Sequence, residues 1–269
     1  MDPVSMTAHW MAAVRARESA RPDRLFDDPL AEVLAGPEGF DLMTRMEADL
    51  PENPTLPIRT RFFDDALVRL LPDRGIGQVV ILGAGMDARA FRLNLPIVFE
   101  VDQRPVLELK DSRLAAVTAT PRGSRIAVEA DLTGEWANEL VEAGFDTDTP
   151  SVFLAEGLLG YLEEPDVHRL LAVVDHLTGS GSILLADVSG RSALEAPYMA
   201  FWYKRLADNG IANARYGTDD PEGLLAAHGW KAHVSQYGDE GANFGRWPFP
   251  PIARDDMTRP HNYLMVGER

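Results

Sequence analysis

The sequence predicts an α/β domain: a doubly wound, mostly parallel sheet of seven strands with an N-terminal helical cap. Three observations carry this. From Gln78 onward, short apolar runs alternate with helical segments, which is the pattern of βαβ units. The first of those runs, Val79–Leu82, enters a glycine turn, Gly83-Ala84-Gly85, that opens a helix. Upstream of it the chain reads as helix and loop.

The cap covers residues 1–57. Ser5 to Ala20 reads as a first helix closed by Arg21-Pro22. Asp28-Pro29 starts a second that runs through Leu34 and ends at Gly36-Pro37, because a capping acid and a first-turn proline favour a helix start. Phe40 to Ala48 is a third helix. Pro51 to Pro57 carries three prolines and reads as a loop. The main domain, 58–269, begins with an amphipathic helix from Ile58 to Leu71, with Phe62, Phe63, Ala66, Leu67, Leu70 and Leu71 on one side.

Strands are expected at Val79–Leu82, Ile97–Val101, Arg125–Ala130, Ser151–Ala155 and Ser182–Asp187. The helices between them are Asp87–Arg92, Pro105–Val117, Glu135–Ala143 and Pro165–Leu177; Pro105 and Pro165 suit a first turn, where a missing N–H costs nothing. Helices near Ser192–Asn209 and Pro221–His228 form an insertion at about 190–230 over the substrate side. Ala232–Tyr237 and Asn262–Val266 complete the sheet as a hairpin-like pair.

At 269 residues the chain is long enough for one large domain, and 45% hydrophobic with 25% charged residues is ordinary for a globular protein. No apolar run reaches the roughly 18 residues that span a bilayer. Met1 to Arg24 holds four arginines and no continuous apolar stretch, so it does not read as a secretory signal. Cysteine is absent, which excludes disulfides and thiolate chemistry and fits a reducing, cytoplasmic setting. A net charge of −16 without a basic patch argues against nucleic acid as a partner. The six histidines show no metal-ligand spacing, and no metal is expected.

Gly83, Gly85 and Ala88 fit a G-x-G-x-x-A spacing, needed where backbone must approach a ligand closely. Asp102 lies 19 positions after Gly83, at the end of the next strand, where a carboxylate can accept ribose hydroxyls. Both NAD and S-adenosylmethionine fit that geometry. The strand ends separate them: Asp102, Asp131, Glu156 and Asp187 put four acids on one rim. Such a rim disfavours a pyrophosphate and favours a ligand carrying a sulfonium and an ammonium. For each acid taken singly, the plain alternative is a solvated strand end.

The segments IRTRFFDDAL, VVILGAGMDARAFRL, VFEVDQ, ADLT and FLAEGLLGYL follow one another in an order and spacing that resembles the leucine carboxyl methyltransferase-like family of S-adenosylmethionine-dependent O-methyltransferases. The branch it resembles acts on carboxyl groups of bacterial polyketides; a eukaryotic branch methylates a protein C-terminus. The resemblance covers about residues 55 to 190 and implies a Rossmann-like class I methyltransferase fold. It implies that Arg59 binds the methionine carboxylate, with Arg61 as a rival. Gly83, Ala84, Gly85 and Gln103 would line the cofactor, Asp102 would take the ribose, Asp131 and Leu132 would flank the adenine, and Glu156 would lie near the methionine amino group. Glu156 also stands out by itself, as a carboxylate in a nearly continuous apolar run. The chain departs from the protein-directed branch at Thr133, where an arginine is expected, which removes a clamp for a peptide carboxylate.

A carboxylate acceptor is ionised at neutral pH and needs no general base, whereas a phenol benefits from one. The candidate catalytic groups are Tyr161 and His261, as proton acceptors, and Arg246, which with Arg191 is a candidate for an anionic substrate group. No His–Asp dyad is evident. Tyr198, Trp202 and Tyr203, and Trp247 beside Arg246, form aromatic groups suited to a polyketide-like or aromatic small molecule; packing between cap and core is the alternative. Met6, Trp10 and Met11 are candidates for a lid. A peptide C-terminus as acceptor, an NAD-dependent oxidoreductase and a binding module without turnover are the competing readings, and monomer and homodimer both remain open.

Overall fold

The protein is described from a computed structural model that covers residues 3–197, 199–256 and 258–269, with the side chains of residues 3–5 excepted. In order, the elements are α1 (Pro3–Ser19), α2 (Ala31–Glu47), α3 (Thr55–Arg74), β1 (Gln78–Leu82), α4 (Arg89–Arg92), β2 (Ile97–Asp102), α5 (Arg104–Ala116), β3 (Ser124–Glu129), α6 (Trp136–Glu142), β4 (Ser151–Ala155), a 3₁₀ turn (Leu159–Tyr161), α7 (Glu164–Leu177), β5 (Ile183–Ser189), α8 (Arg191–Leu194), α9 (Met199–Asp208), α10 (Pro221–Ala226), β6 (Lys231–Gln236) and β7 (Asn262–Glu268).

The sheet order is β3-β2-β1-β4-β5-β7-β6. β1 to β5 pair in parallel, while β7 lies antiparallel to both β5 and β6. The two final strands therefore pair as expected, but no tight turn joins them: residues 237–261 intervene, and β7 inserts between β5 and β6. The central strands are buried on both faces, as parallel strands must be. Val80 and Leu82 enter one core with Phe99, Trp136 and Phe153, and their neighbours Val79 and Ile81 enter the other with Phe63, Leu67 and Leu185. Each such side chain contributes roughly 1.5–3 kcal/mol by burial. The order reversal falls between β1 and β4, and ligands of open α/β sheets bind outside the carboxyl ends of strands at such a point.

The expected break between the second and third helices is present: α2 consists of two helices that meet at Gly36, whose φ of 59° and ψ of 174° are non-helical where the sequence shows Gly-Pro. Other boundaries differ from the sequence reading. α3 starts at Thr55 rather than Ile58: Asn53 Oδ1 accepts from Thr55 N at 2.9 Å, and Pro57 sits in the first turn, where no N–H is required. In the insertion, the expected Ser192–Asn209 helix divides into α8 and α9.

The cap is packed into the domain. Ala12, Ala13, Leu34 and Ala35 share a core with Met86 and Ala88 of the glycine turn and Val106 of α5. Fully buried His9 of α1 seals this junction, its Nδ1 2.8 Å from Arg113 Nη1 and 3.2 Å from Leu34 O. Burial, and then the Arg113 charge, hold the His9 pKa below 6.5, outweighing Glu38. A depressed histidine pKa means that the unfolded chain takes up the proton first, so stability is full above about pH 6.5 and is lost as pH falls below it. The melting temperature is expected to fall between pH 7.5 and 5.5, and to fall less in His9→Gln. Equal slopes would remove His9 from the account. No helix among the described residues is long and apolar enough to cross a membrane.

Candidate functional site

At the carboxyl ends of β1, β2 and β4 lies a cavity of about 320 Å³, walled by the glycine turn, α1, α3 and the segment after β4. Its floor follows from the sequence. Gly83 (φ 64°) and Gly85 (φ 46°) take left-handed backbone conformations. A Cβ on Gly83 would meet Leu158 at 3.2 Å, and one on Gly85 would meet Ala8 of α1 at 3.1 Å. The turn is stitched to β2: Gly83 N and Ala84 N both donate to Val101 O, and Gly85 N donates to Asp102 Oδ2 at 2.7 Å. Asp102 Oδ1 accepts from Gln103 N at 2.7 Å. Asp131 is fixed in the same manner, accepting at Oδ1 from Thr133 N (2.9 Å) and Thr133 Oγ1 (2.7 Å). Those two bonds hold its pKa below the usual carboxylate value.

The opposite end of the cavity is an ionic cluster. Arg59 of α3 donates from Nε to Glu156 Oε1 at 3.0 Å and from Nη1 to Asp187 Oδ2 at 2.9 Å. Arg89, 2% exposed at the start of α4, reaches Asp64 Oδ1 (2.7 Å), Asp87 and Glu156 Oε2 (2.7 Å). Burial would raise the Glu156 pKa, but Arg89 and Arg59 outweigh it and leave the group ionised, below its usual value. Asp87 behaves alike: burial raises, Arg89 lowers, and the result is about 2. For Asp187 burial prevails over Arg59 and the pKa is raised. Arg59 remains charged, since Asp187 and Glu156 overcome its desolvation.

The structure brings together Arg59, Gly83, Ala84, Gly85, Asp102, Gln103, Asp131, Leu132, Glu156 and Tyr161, all of which line the cavity. It changes the picture of the acidic rim. Asp187 is not on the wall; it is engaged behind Arg59, with Gly157 N donating to Oδ1 at 2.6 Å. Three arginines, Arg15, Arg59 and Arg89, share the wall with the acids, and each is tied to a carboxylate. Arg61 points elsewhere, donating to Asp65 and Leu25 O.

Other candidates lie away from this cavity. Arg246 donates to Glu18 Oε2 and to Asp23 O, both at 2.8 Å, and so ties the segment after β6 to the cap. It lines a second, smaller cavity of about 200 Å³ with Arg17, Arg21 and Glu52. His261 is buried between Gln236 and Asp256 O and stacks on Tyr263. Trp247 stacks on Tyr237 at 5.6 Å. Trp202 packs with Trp10, Leu42 and Met46, which makes it a joint between α9 and the cap, and Tyr203 donates its hydroxyl to Leu194 O at 2.7 Å. Each of these groups is occupied by packing or by a local partner, which is why proximity in sequence to the insertion did not translate into cavity lining. Tyr198 lies outside the described residues. Arg191 reaches Glu164 at the surface.

Sequence reasoning missed Arg89, Asp87, Thr60, Thr7 and Arg15, all on the cavity wall. A signal for Arg89 existed: a guanidinium between Ala88 and Ala90, in a turn otherwise apolar after Asp87.

Residues 8–175 match the profile of a family described as leucine carboxyl methyltransferase. A protein of Saccharopolyspora erythraea, provisionally named an S-adenosyl-L-methionine-dependent methyltransferase, is 39% identical over 265 residues, covering 90% of this chain and 88% of its own. One of Streptomyces avermitilis with the same provisional name is 35% identical, covering 98% and 95%. Among solved structures, a DUF574-family protein of Streptomyces avermitilis superposes with a TM-score of 0.62 at 19% identity, covering 98% of this chain and 97% of that one. A provisionally named methyltransferase of Thermobifida fusca gives 0.60 at 17%, covering 88% and 91%. With the sheet order above, these likenesses make the architecture a Rossmann-like class I methyltransferase fold. By the length and extent of the profile match and the identity to full-length relatives, the chain belongs to the leucine carboxyl methyltransferase family.

Proposed function

We propose that this protein is an S-adenosylmethionine-dependent O-methyltransferase of the cytoplasm that esterifies the carboxylate of a small molecule, polyketide-like or aromatic in character. The observation that carries the cofactor reading is Asp102: a carboxylate gripped by Gly85 N and Gln103 N, on the wall of a cavity at the sheet's switch point. The donor set fits the group. Asp102 would hold the ribose hydroxyls, Asp131 and Leu132 would border the adenine, and Gly83 and Ala84 would offer backbone to the methionine. Glu156 Oε2 is met by Arg89 Nη2 at 2.7 Å, and as a carboxylate oxygen it keeps a further lone pair for an ammonium. Arg59, with Nε and Nη1 engaged, turns Nη2 toward Gly157 and would meet the methionine carboxylate. Bound S-adenosylmethionine supplies a methyl group already activated by sulfonium, so the chain's task is alignment and exclusion of water.

Support for a carboxylate acceptor comes from the wall itself. No histidine lines the cavity among the described residues. Tyr161, beside Thr7, has its pKa raised by burial more than Arg59 lowers it, so it stays a phenol at neutral pH and does not act as a base. Thr133 directs its N–H and hydroxyl back to Asp131, which leaves no clamp there for a peptide C-terminus and favours a small molecule.

Calorimetry with S-adenosylmethionine, S-adenosylhomocysteine and NAD tests the cofactor; binding of NAD alone overturns the reading. A panel of polyketide acids and phenols incubated with labelled donor tests the acceptor. The expected product loses its label as methanol in mild alkali, as an ester does and an aryl ether does not. Tyr161→Phe is expected to keep kcat within about tenfold, since general-base catalysis contributes about 10²–10⁴-fold where it operates. A loss of several hundredfold would make Tyr161 a proton acceptor after all.

A further inference from the structure

The hydroxyl of Thr60, on α3 one position after Arg59, is on the cavity wall and has no hydrogen-bond partner. Glu156 Oε2, on the same wall, is met by Arg89 Nη2 at 2.7 Å and keeps a further lone pair. Thr60 is 1% exposed. A helical threonine ordinarily returns its hydroxyl to the carbonyl four residues back, here Leu56 O, and Thr60 does not. Leaving a buried hydroxyl unsatisfied is destabilising, so such a group calls for a reason, and a ligand on the cavity side supplies one. Thr60 and Glu156 are bridged by one guanidinium: Arg89 Nη2 is 2.7 Å from Glu156 Oε2 and 3.5 Å from the backbone oxygen of Thr60, and both residues line the same cavity.

Their position along the sheet assigns the end of the ligand they meet. Asp131 and Asp102 follow β3 and β2, on one side of the glycine turn, whereas Glu156 follows β4 on the other. A nucleoside held at the first side directs the remainder of the molecule toward Arg59, Thr60 and Glu156. We propose that the Thr60 hydroxyl binds the amino-acid end of the cofactor and, with Glu156 Oε2, forms a seat for its ammonium group. This rests on the cofactor reading above and adds a residue to it.

The test is calorimetry on wild type, Thr60→Val and Thr60→Ser with two ligands, S-adenosylhomocysteine and 5′-methylthioadenosine, which lacks the amino-acid end. Valine keeps the shape and removes the hydroxyl. Thr60→Val is expected to weaken S-adenosylhomocysteine by at least about tenfold, with 5′-methylthioadenosine held within about twofold and serine restoring the affinity. The unliganded Thr60→Val protein is expected to melt at the wild-type temperature or above, because an unsatisfied buried group is removed. Unchanged S-adenosylhomocysteine affinity overturns the proposal. So does an equal loss for both ligands, or a fall in melting temperature, since either gives the hydroxyl a structural role. Wild-type protein that binds neither compound overturns the cofactor reading and this inference with it.

Discussion

Replacing Arg89 with methionine is expected to lower the stability of the unliganded protein by about 3–5 kcal/mol, the usual result of removing one partner from a buried ionic cluster. For a domain of this size that is a fall in melting temperature on the order of 10 °C. The reason is local. Arg89 reaches Asp64, Asp87 and Glu156 with one guanidinium, while being almost fully enclosed. Asp64 retains Arg92 and Glu156 retains Arg59, but Asp87 loses the main group that offsets its burial. The pH dependence then changes. In the wild type the Asp87 pKa lies at about 2, below its unfolded value; its contribution is full above about pH 4 and lost as pH falls through 2. In Arg89→Met the largest opposing charge is gone and Lys110, Arg15 and Arg92 remain, so the folded pKa moves up, and the loss is expected to shrink as pH is lowered from 8 to 5. Thermal melts of both proteins across that range check this. A deficit independent of pH would mean that packing of the Arg89 stem, rather than its charge, stabilises the site. Arg89→Lys, which keeps charge without the planar fork, is expected to fall between the two.

The difference in legibility between Asp102 and Arg89 is instructive. Asp102 was readable because its place is set by short-range rules: a strand, a glycine turn, and an acid at a fixed distance on the next strand. Glu156 was readable because an ion in an apolar run must have a partner, although the sequence could not name Arg59 and Arg89 as that partner. Arg89 itself acts through Asp64 of α3, Asp87 of the preceding turn and Glu156 after β4, and the meeting of ions so far apart in the chain is set by the tertiary fold. For the same reason the rim appeared more acidic than it is: strand ends are visible in a sequence, and the arginines that α1 and α3 lower onto them are not. The order of the strands behaves likewise. Their existence follows from apolar runs, but the insertion of β7 between β5 and β6 depends on a 25-residue connection with no local code. Aromatic grouping misled in one respect. Trp202 and Trp247 cluster in sequence near the insertion, yet they pack on the cap and on Tyr237, because large apolar side chains fill joints as readily as they line pockets.

Asp102→Ala is expected to weaken S-adenosylhomocysteine by about 1.5–3 kcal/mol, the range for hydrogen bonds to a charged group, which is roughly 10- to 150-fold in Kd. Two effects add. The carboxylate would no longer receive the ribose hydroxyls, and Gly85 N would lose the acceptor that fixes the turn at 2.7 Å. Asp102→Asn narrows them. It can keep its oxygen for Gly85 N but loses the charge and the acceptor for Gln103 N, so its loss measures the ribose and Gln103 contacts together, and the further loss in alanine measures the Gly85 bond. Because the turn touches Ala8 of α1, loosening it is also expected to loosen the cap, read as faster amide exchange in α1 in alanine but not in asparagine. Equal affinity of all three proteins for S-adenosylhomocysteine would move the ribose away from Asp102. The carboxylate would then be left with a structural task alone, bracing the glycine turn against the end of β2 through Gly85 N and Gln103 N.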